Sequence, residues 1–377
     1  MPTTINDPST SVADPALPAV RAALREAGGW LPFDRFMALA LYSPQGGYYA
    51  GGAGGIVGRG PADGSDFVTA PELSPRFGAT LARQVAQALQ ATGTAAVWEF
   101  GAGSGALAAQ LLAALDAAGR ADVGYHIIEV SAALRARQQA RLAPWADRVR
   151  WHDRLPPAID GVVLGNEVLD AMPVKLLRRA GGVWHERGVA WDEASGRLVW
   201  HDRPTDLRPP CAIDGAHDYL TEIHPQAEAF VRTLAQHLRR GAALFIDYGF
   251  PEHEYYHPQR AHGTLRCHRA HRVDDEPLAD VGAKDITAHV NFTGIALAAQ
   301  EAGLEVLGYT SQGRFLLNAG LLEGLDEALL AQRAMAAKLV HEHEMGELFK
   351  AIMFAPPASA RGWVPVGFAA GDRTHML

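Results

Sequence analysis

The sequence contains few of the features expected of a secreted, membrane or metal-binding protein. Among its 377 residues only Cys211 and Cys267 are cysteines, too few for a disulfide framework or a thiolate zinc site. No run approaches the roughly 20 apolar residues that span a bilayer. The first thirty residues show neither a secretory signal nor an Arg-rich transit peptide. These absences predict a cytoplasmic protein with no bound metal and no membrane insertion.

Positive charge is also scarce. The chain has 34 Lys and Arg against 42 Asp and Glu, which gives a formal charge of -8. Proteins that bind phosphate backbones concentrate Lys and Arg, so nucleic acid is not expected as a partner. Hydrophobic residues make up 48% of the chain and charged residues 20%, which is typical of a globular protein.

The chain divides by pattern into two parts. Residues 1–92 form an N-terminal region, with two short helices over 15–41, a glycine-rich loop at 51–65 and a helix over 76–92. Residues 93–377 form the main domain. Two stretches interrupt it: residues 174–203 alternate like a β-hairpin, and residues 251–291 have no clear period. We interpret both as insertions that cover a binding site.

Within the main domain, apolar strands alternate with helices. Strands are predicted at 95–100, 125–130, 148–151, 161–165, 242–247, 306–310 and 349–355, and helices at 106–118, 131–142, 226–239, 294–303 and 321–341. Continuous apolar strands separated by helices are typical of a parallel sheet covered on both faces. The fold class is therefore α/β, with a doubly wound, Rossmann-like sheet.

A glycine-rich turn joins the first strand to its helix. Glu99 ends the strand, and Gly101, Gly103 and Gly105 form a G-x-G-x-G turn. Glycines allow a ligand to approach the backbone closely, and the following helix N-terminus presents free N–H groups. The same stretch fits the dinucleotide pattern G-x-G-x-x-A through Ala106. A ligand-free glycine turn is the plainer alternative.

Acidic and amide residues at neighbouring strand ends favour S-adenosylmethionine as the cofactor. Glu99 can face the cationic end of this cofactor, and Glu129 can accept both ribose hydroxyls, although NAD enzymes use an acid in the same way. Asn166, Glu167 and Asp170 follow the fourth strand, at the edge where open α/β sheets bind ligands. Asp170 could instead cap a helix.

Several segments, taken in order, resemble the MidA family of methyltransferases. They are residues 41–49, 66–73, 99–105, 166–174, 247–249, 264–266, 285–290 and 312–316. Three residues depart from the family pattern. Ala102 replaces a proline, Ser65 a glycine and Asn291 an aspartate. The last two concern the substrate side more than the cofactor side.

The resemblance implies a class I methyltransferase that modifies an arginine of a protein, with a respiratory complex I subunit as the known substrate class. Together with position at the sheet edge, it gives the catalytic candidates Glu72, Glu167, Asp170 and His289. The cofactor-binding candidates are Thr69, Glu99, Gly101, Ala102, Gly103, Ser104, Gly105, Glu129, Val130, Asp153 and Asn166. His289 could accept a proton, or could be a packed core histidine.

Other functions remain open at this point. The same fold could methylate a small molecule or RNA, or the protein could be an assembly chaperone that has lost catalysis. An NAD-dependent oxidoreductase would leave Asn166 and Glu167 without an obvious role. Either a monomer or a homodimer fits the pattern.

Overall fold

The computed structural model describes residues 14–50, 68–269 and 271–377. The predicted glycine-rich loop at 51–65, including Ser65, lies outside these residues, as does the start of the motif at 66–73. The helices are α1 Leu17–Glu26, α2 Phe33–Tyr42, α3 Ala70–Leu73, α4 Pro75–Thr92, α5 Ala106–Ala117, α6 Ala132–Arg141, α7 Pro225–His237, α8 Glu252–Tyr255, α9 Phe292–Glu301, α10 Gln312–Asn318, α11 Leu330–Val340, α12 Met345–Leu348 and α13 Pro357–Ala360. The strands are β1 Trp30–Pro32, β2 Ala96–Phe100, β3 Gly124–Ile128, β4 Val149–His152, β5 Ile159–Asn166, β6 Lys175–Ala180, β7 Val183–Asp192, β8 Arg197–Pro204, β9 Tyr219–Ile223, β10 Leu238–Phe250, β11 Arg266–Arg269, β12 Arg272–Asp274, β13 Asp285–Thr287, β14 Val290–Asn291, β15 Glu305–Ser311 and β16 Phe349–Ala355.

The largest sheet has the strand order β15-β16-β10-β5-β2-β3-β4, with the short β14 paired to β10. The pairs from β10 through β4 are all parallel, whereas β16 runs antiparallel to both of its neighbours. Strand order reverses between β2 and β5, and such a reversal opens a crevice at the carboxyl ends of the strands. The predicted doubly wound α/β sheet is confirmed.

Both faces of this sheet are covered, as the continuous apolar strands predicted. Along β5, Val162 and Leu164 belong to one buried cluster, which includes Leu111 of α5. Val163 belongs to the cluster on the other face, with Val231 of α7. Successive side chains of a strand point to opposite faces, so a strand covered on both sides needs apolar residues at every position.

The first insertion is larger than the predicted hairpin at 174–203. Strands β6, β7 and β8 form a consecutive antiparallel meander, and β1 and β9 extend it to five strands. The turn between β6 and β7 consists of Gly181 and Gly182, which both have positive φ, as a tight two-residue hairpin requires. The sequence shows such local turns. It does not show that strands from residues 30–32 and 219–223 join them.

The second insertion also contains a sheet, which the sequence did not predict. Strands β12, β11 and β13 form a three-stranded antiparallel sheet within residues 251–291. The strands are only three or four residues long, too short for a detectable alternation. Cys267 and Ile286 of this sheet pack with α1 and α2 in a third buried cluster.

The predicted long helix over 321–341 is wrong at its start, because α11 begins only at Leu330. Gly324 adopts a positive φ of 63°. The guanidinium of Arg76 donates to the carbonyls of Leu321, Glu323 and Gly324. These carbonyls are thus held in a turn by a residue about 245 positions away, a constraint that no local pattern reveals.

The predicted division at residues 92 and 93 stays a prediction. Helix α4, which precedes that point, packs against α5, and its Phe77, Leu81 and Val85 lie in the same buried cluster as Leu111. Helices α1 and α2 pack instead beside the five-stranded sheet. Within the ranges that the structure describes, no helix is both long enough and apolar enough to cross a membrane.

Candidate active site

A cavity of ≈ 590 Å³ opens at the carboxyl ends of β2, β3, β5 and β10. Twelve of the fifteen predicted site residues line it, namely Thr69, Glu99, Gly101, Ala102, Gly103, Ser104, Glu129, Val130, Asn166, Glu167, Asp170 and His289. Parallel strands bring their carboxyl ends to one edge, and residues far apart in sequence meet there. The three exceptions are Glu72, Gly105 and Asp153.

The turn between β2 and α5 brings backbone to the cavity wall. Gly101, Gly103 and Gly105 all have positive φ, at 63°, 50° and 80°, a region that other residues enter at a cost. A Cβ at Gly101 would lie 2.9 Å from Cγ2 of Val168. The glycines therefore satisfy both the backbone conformation and the close packing of the loop that follows β5.

Glu129, at the end of β3, is fixed by the protein on both carboxylate oxygens. Oε1 accepts a hydrogen bond from the backbone N–H of Ser131 at 2.7 Å, and Oε2 accepts one from Nε2 of Gln138 at 3.0 Å. Gln138 also donates to the Gly103 carbonyl at 3.0 Å and accepts from Trp151. Each oxygen keeps a lone pair for a further donor, as two ribose hydroxyls would require.

Glu99 is buried on β2, with 2% of its surface exposed. Burial raises its pKa to about 7, while the Tyr125 hydroxyl, which donates to Oε2 at 2.7 Å, favours the charged form. Among the described residues Tyr125 is the one side-chain donor to Glu99, and a buried acid with so few donors is costly to ionise. A cationic ligand group beside it would offset that cost.

The segment after β5 is held by Asp247 of β10. Oδ2 of Asp247 accepts the backbone N–H groups of Val168, Leu169 and Asp170, at 3.1, 2.8 and 3.3 Å. Glu167, just before them, has a positive φ of 53°, which is uncommon for a residue with a side chain. Asp247 thus positions a strained loop at the cavity.

Two carboxylates of this loop titrate far from their ordinary range. Burial raises the pKa of Glu167 to about 8, and the neighbouring Asp170 adds to the shift. Burial also raises the pKa of Asp170 to about 6. Asp170 Oδ1 is buried and accepts no hydrogen bond from the described residues, and neither acid takes part in an ion pair with them.

His289 lies between two aromatic rings, with Tyr248 at 5.1 Å and Phe250 at 5.2 Å from ring centre to ring centre. Burial lowers its pKa to about 3, helped by the positive charges of Arg260 and Arg266. A neutral imidazole that holds a proton so weakly is a poor proton acceptor. Glu167, with its higher pKa, is the better one.

The three predicted residues that do not line the cavity have other contacts. The Glu72 carboxylate accepts from Ser104 and, at 2.8 Å, from Arg141. Asp153 is exposed and paired with Arg154 at 3.3 Å. Gly105 caps the N-terminus of α5. Glu72 thus contacts Ser104, which lines the cavity, and its catalytic role stays a prediction.

Tyr42, Tyr49, Tyr248 and Asp285 also line the cavity, and the sequence analysis did not select them. They come from α2, the turn after it, β10 and β13. All four lie in family-like segments, which is the only sequence signal that points to them. Asn291, a departure from the family pattern, caps α9 by accepting the Gly294 N–H at 3.3 Å. Aspartate performs this role equally well, so this departure says nothing about substrate.

The chain matches a family model described as S-adenosyl-L-methionine-dependent methyltransferases over residues 80–310. That match covers more than half of the sequence. The chain belongs to this methyltransferase family.

Solved structures and curated relatives agree with this assignment. A methyl transferase candidate from Burkholderia thailandensis, crystallised with S-adenosyl-homocysteine, is 49% identical, with a TM-score of 0.90 over 99% of this chain and 100% of that one. A native structure from the same organism is 47% identical, with a TM-score of 0.87 and the same coverage. The predicted class I methyltransferase fold and enzyme class are confirmed.

Two curated relatives are named as protein arginine methyltransferases. The Drosophila melanogaster NDUFAF7 homolog is 28% identical over 87% of this chain and 82% of its own length. The Homo sapiens NDUFAF7 protein is 26% identical over 95% and 87%. Both are named mitochondrial. The expected cytoplasmic location is contradicted by these names and is not carried further.

The site of this methyltransferase fits S-adenosylmethionine in its donor set. Asn166 Oδ1 is buried, lines the cavity and has no hydrogen-bond partner among the described residues, so it can accept from a ligand amine. Glu129 can hold the ribose, and Glu99 lies where a ligand ammonium would balance its charge. The apolar side chains of Ile128 and Leu134 line the same cavity and suit an adenine ring.

Proposed function

We propose that this methyltransferase transfers a methyl group to an arginine side chain of a protein substrate. The observation that carries the proposal is a pair of carboxylates on the loop after β5, the half-buried Glu167 and the buried Asp170, which share one cavity with the glycine turn and form no ion pair with the described residues. A buried acid without a counter-charge is unfavourable. A cationic substrate group would supply that charge.

The arginine guanidinium fits this pair of carboxylates. It stays protonated, with a pKa above about 12, and presents five N–H donors in one plane. Two carboxylates can accept along its edges and turn one terminal nitrogen toward the methyl group. The names of the curated relatives, which are protein arginine methyltransferases, support this choice over a small molecule or RNA.

The chemistry needs positioning and one proton acceptor. When bound, S-adenosylmethionine supplies a methyl group on a positively charged sulfur, which becomes a neutral thioether as the methyl leaves. Glu167 and Asp170 hold the nitrogen in line for this displacement. The new C–N bond forms as the guanidinium loses a proton, and Glu167, with its pKa of about 8, accepts it.

The acceptor protein is the finer part of the proposal. The family resemblance predicts a subunit of respiratory complex I, and we carry that forward as the first substrate to test. Oligomeric state, predicted as monomer or homodimer, stays a prediction.

The decisive experiment incubates the purified protein with labelled S-adenosylmethionine and three acceptor pools, which are arginine-containing protein, RNA and small metabolites. We expect label only in protein, and a mass increase of one or two methyl groups that peptide sequencing places on arginine. Label on RNA or on a metabolite would overturn the proposal. Calorimetry with S-adenosyl-homocysteine, with NAD as the control, first establishes that the cofactor site is intact.

A further inference from the structure

Helix α6 borders the cavity with a largely polar face. Leu134 lines the cavity, Gln138 lies one turn further along the helix, and Arg141 follows three residues later. This spacing puts the three side chains on one side of the helix. A helix usually packs through an apolar stripe, yet the one buried residue of α6 is Gln138. Hydrogen bonds from this face therefore hold α6 to the rest of the protein.

Arg141 joins two segments of the cavity wall. Its Nη1 donates to Oγ of Ser104 at 2.7 Å and to Oε1 of Glu72 at 2.8 Å. Ser104 belongs to the glycine turn and lines the cavity, while Glu72 lies on α3, beside the cavity-lining residues Thr69 and Pro71. The Ser104 hydroxyl donates to the same oxygen of Glu72. The three side chains thus form a closed set of hydrogen bonds.

The hydroxyl of Ser104 is fully engaged as a donor within this set. A serine hydroxyl has one hydrogen and two lone pairs. Here the hydrogen goes to Glu72, and one lone pair accepts from Arg141. Ser104 therefore has no hydroxyl hydrogen left for a ligand, and its place in the wall depends on where Glu72 and Arg141 hold it.

The ion pair within the set is unevenly exposed. The Glu72 side chain is 4% exposed and the Arg141 side chain 36%. Removing one member of a buried pair costs more than the pair contributes, because the other charge stays in a poorly solvated place. Loss of the Arg141 charge should therefore disturb Glu72, and with it Ser104, more than loss of an exposed ion pair would.

A second helix holds the backbone of α3. Nε2 of Gln110, on α5, donates to the Pro71 carbonyl at 2.6 Å, and its Oε1 accepts from the Gly78 N–H at 3.0 Å. Gln110 thus joins α3 to α5, whereas Arg141 joins the Glu72 side chain to the glycine turn and α6. Together these contacts fix α3 against the turn, and residues on both sides of that junction line the cavity.

We propose that Arg141 is a positioning residue for the cofactor, which sets the width of the cofactor end of the cavity by joining Ser104 to Glu72. Arg141 is not among the described residues that line the cavity, so it acts through these two residues. This role concerns the cofactor alone and is independent of which group accepts the methyl.

The test is a calorimetric titration of the full-length protein with S-adenosyl-homocysteine. Arg141→Met removes the charge and both hydrogen bonds, so the affinity should fall about tenfold. Both bonds come from one nitrogen, which a lysine ammonium can replace. Arg141→Lys should therefore bind within about threefold of wild type.

A double variant separates this role from a general loss of stability. Glu72→Gln combined with Arg141→Met leaves no unpaired charge beside the glycine turn. It should bind S-adenosyl-homocysteine at least about threefold more tightly than Arg141→Met alone. General destabilisation cannot produce such a recovery, because the double variant loses more contacts than the single one.

Arg148→Met is the matched control. Arg148 pairs with Asp116 of α5 and donates to the Ala121 carbonyl at 3.1 Å, and it is not among the described residues that line the cavity. Arg148→Met should lower the melting temperature and bind within about twofold of wild type. Thermal melting shows which variants fold. If Arg141→Met does not, Ser104→Ala decides, with an expected loss of about three- to tenfold.

Three results would overturn the positioning role of Arg141. The first is a folded Arg141→Met protein that binds S-adenosyl-homocysteine within about twofold of wild type. The second is an equal loss in Arg148→Met, or a lack of rescue in Arg141→Lys. The third is a double variant that binds as weakly as Arg141→Met, because the unpaired charge of Glu72 would then not be the cause.

Discussion

The two halves of the cavity differ in how their polar groups are satisfied. In the cofactor half, both carboxylate oxygens of Glu129 accept N–H groups of the protein, and Gln138 ties Glu129 to the glycine turn. In the acceptor half, Asp170 Oδ1 is buried with no donor in the described structure, and Glu167 lies on strained backbone. The first half is preformed. The second retains unfavourable interactions that a cationic substrate would relieve.

The largest expected effect is on the acceptor half. Glu167→Gln removes the proton acceptor, so turnover should fall by at least about 100-fold. The affinity for S-adenosyl-homocysteine should remain within about twofold, as calorimetry would show. The matched variant is Glu72→Gln, whose carboxylate is bonded to Ser104 and Arg141, with an expected loss below about tenfold. A larger loss in Glu72→Gln than in Glu167→Gln would reverse the assignment.

Substitutions in the cofactor half should instead lower the affinity for S-adenosyl-homocysteine. Gly101→Ala combines a positive φ with a Cβ only 2.9 Å from Val168. We expect affinity for S-adenosyl-homocysteine to fall about 10- to 100-fold, because the turn must shift. Gly119→Ala has a similar φ of 72° and open space around its Cβ. Gly119→Ala should lower the melting temperature with no loss of affinity for S-adenosyl-homocysteine. Equal affinity losses in both variants would argue that the glycine turn does not contact the cofactor.

A smaller loss is expected at the ribose position. Glu129→Gln replaces an acceptor oxygen with an amide that faces the Ser131 N–H or the Gln138 amide. Affinity for S-adenosyl-homocysteine should fall about tenfold. Asp153→Asn serves as the control, since this residue is exposed and does not line the cavity. If Asp153→Asn lowered the affinity as much as Glu129→Gln, the assignment of the ribose to Glu129 would be wrong.

The smallest expected effect is on stability. Burial raises the pKa of Glu167 from 4.5 to about 8. The folded state therefore holds this proton more tightly than the unfolded chain, and the resulting stabilisation is lost as pH rises through about 8. Glu167→Gln should raise the melting temperature by about 3 °C at pH 9 and hardly at pH 5. A melting-temperature difference between Glu167→Gln and wild type that does not change with pH would contradict this explanation.

The kcat/KM for arginine should rise with pH from about 6 to 8, because both Glu167 and Asp170 must ionise.

The sequence was more informative about the cofactor half than about the acceptor half, for a physical reason. Glu99 lies near the end of one strand, the three glycines follow that strand, and Glu129 follows the next. Local pattern and the parallel-sheet rule therefore place them together. In the acceptor half, the cavity wall includes Tyr42, Tyr49 and Asp285, which belong to N-terminal or inserted elements. The packing of these elements depends on long-range contacts, which a local sequence pattern does not show. The five-stranded sheet and the shortened helix α11 were missed for the same reason.

Asp247 has a consequence for how such an enzyme could diverge. Its side chain alone holds three backbone N–H groups of the loop that carries Glu167 and Asp170, while Gln138 independently holds the cofactor turn. Separate anchors allow substitutions to accumulate around one ligand without disturbing the other. A lineage that keeps both anchors could therefore acquire a new acceptor by altering only the inserted sheets, and protein engineering could follow the same route.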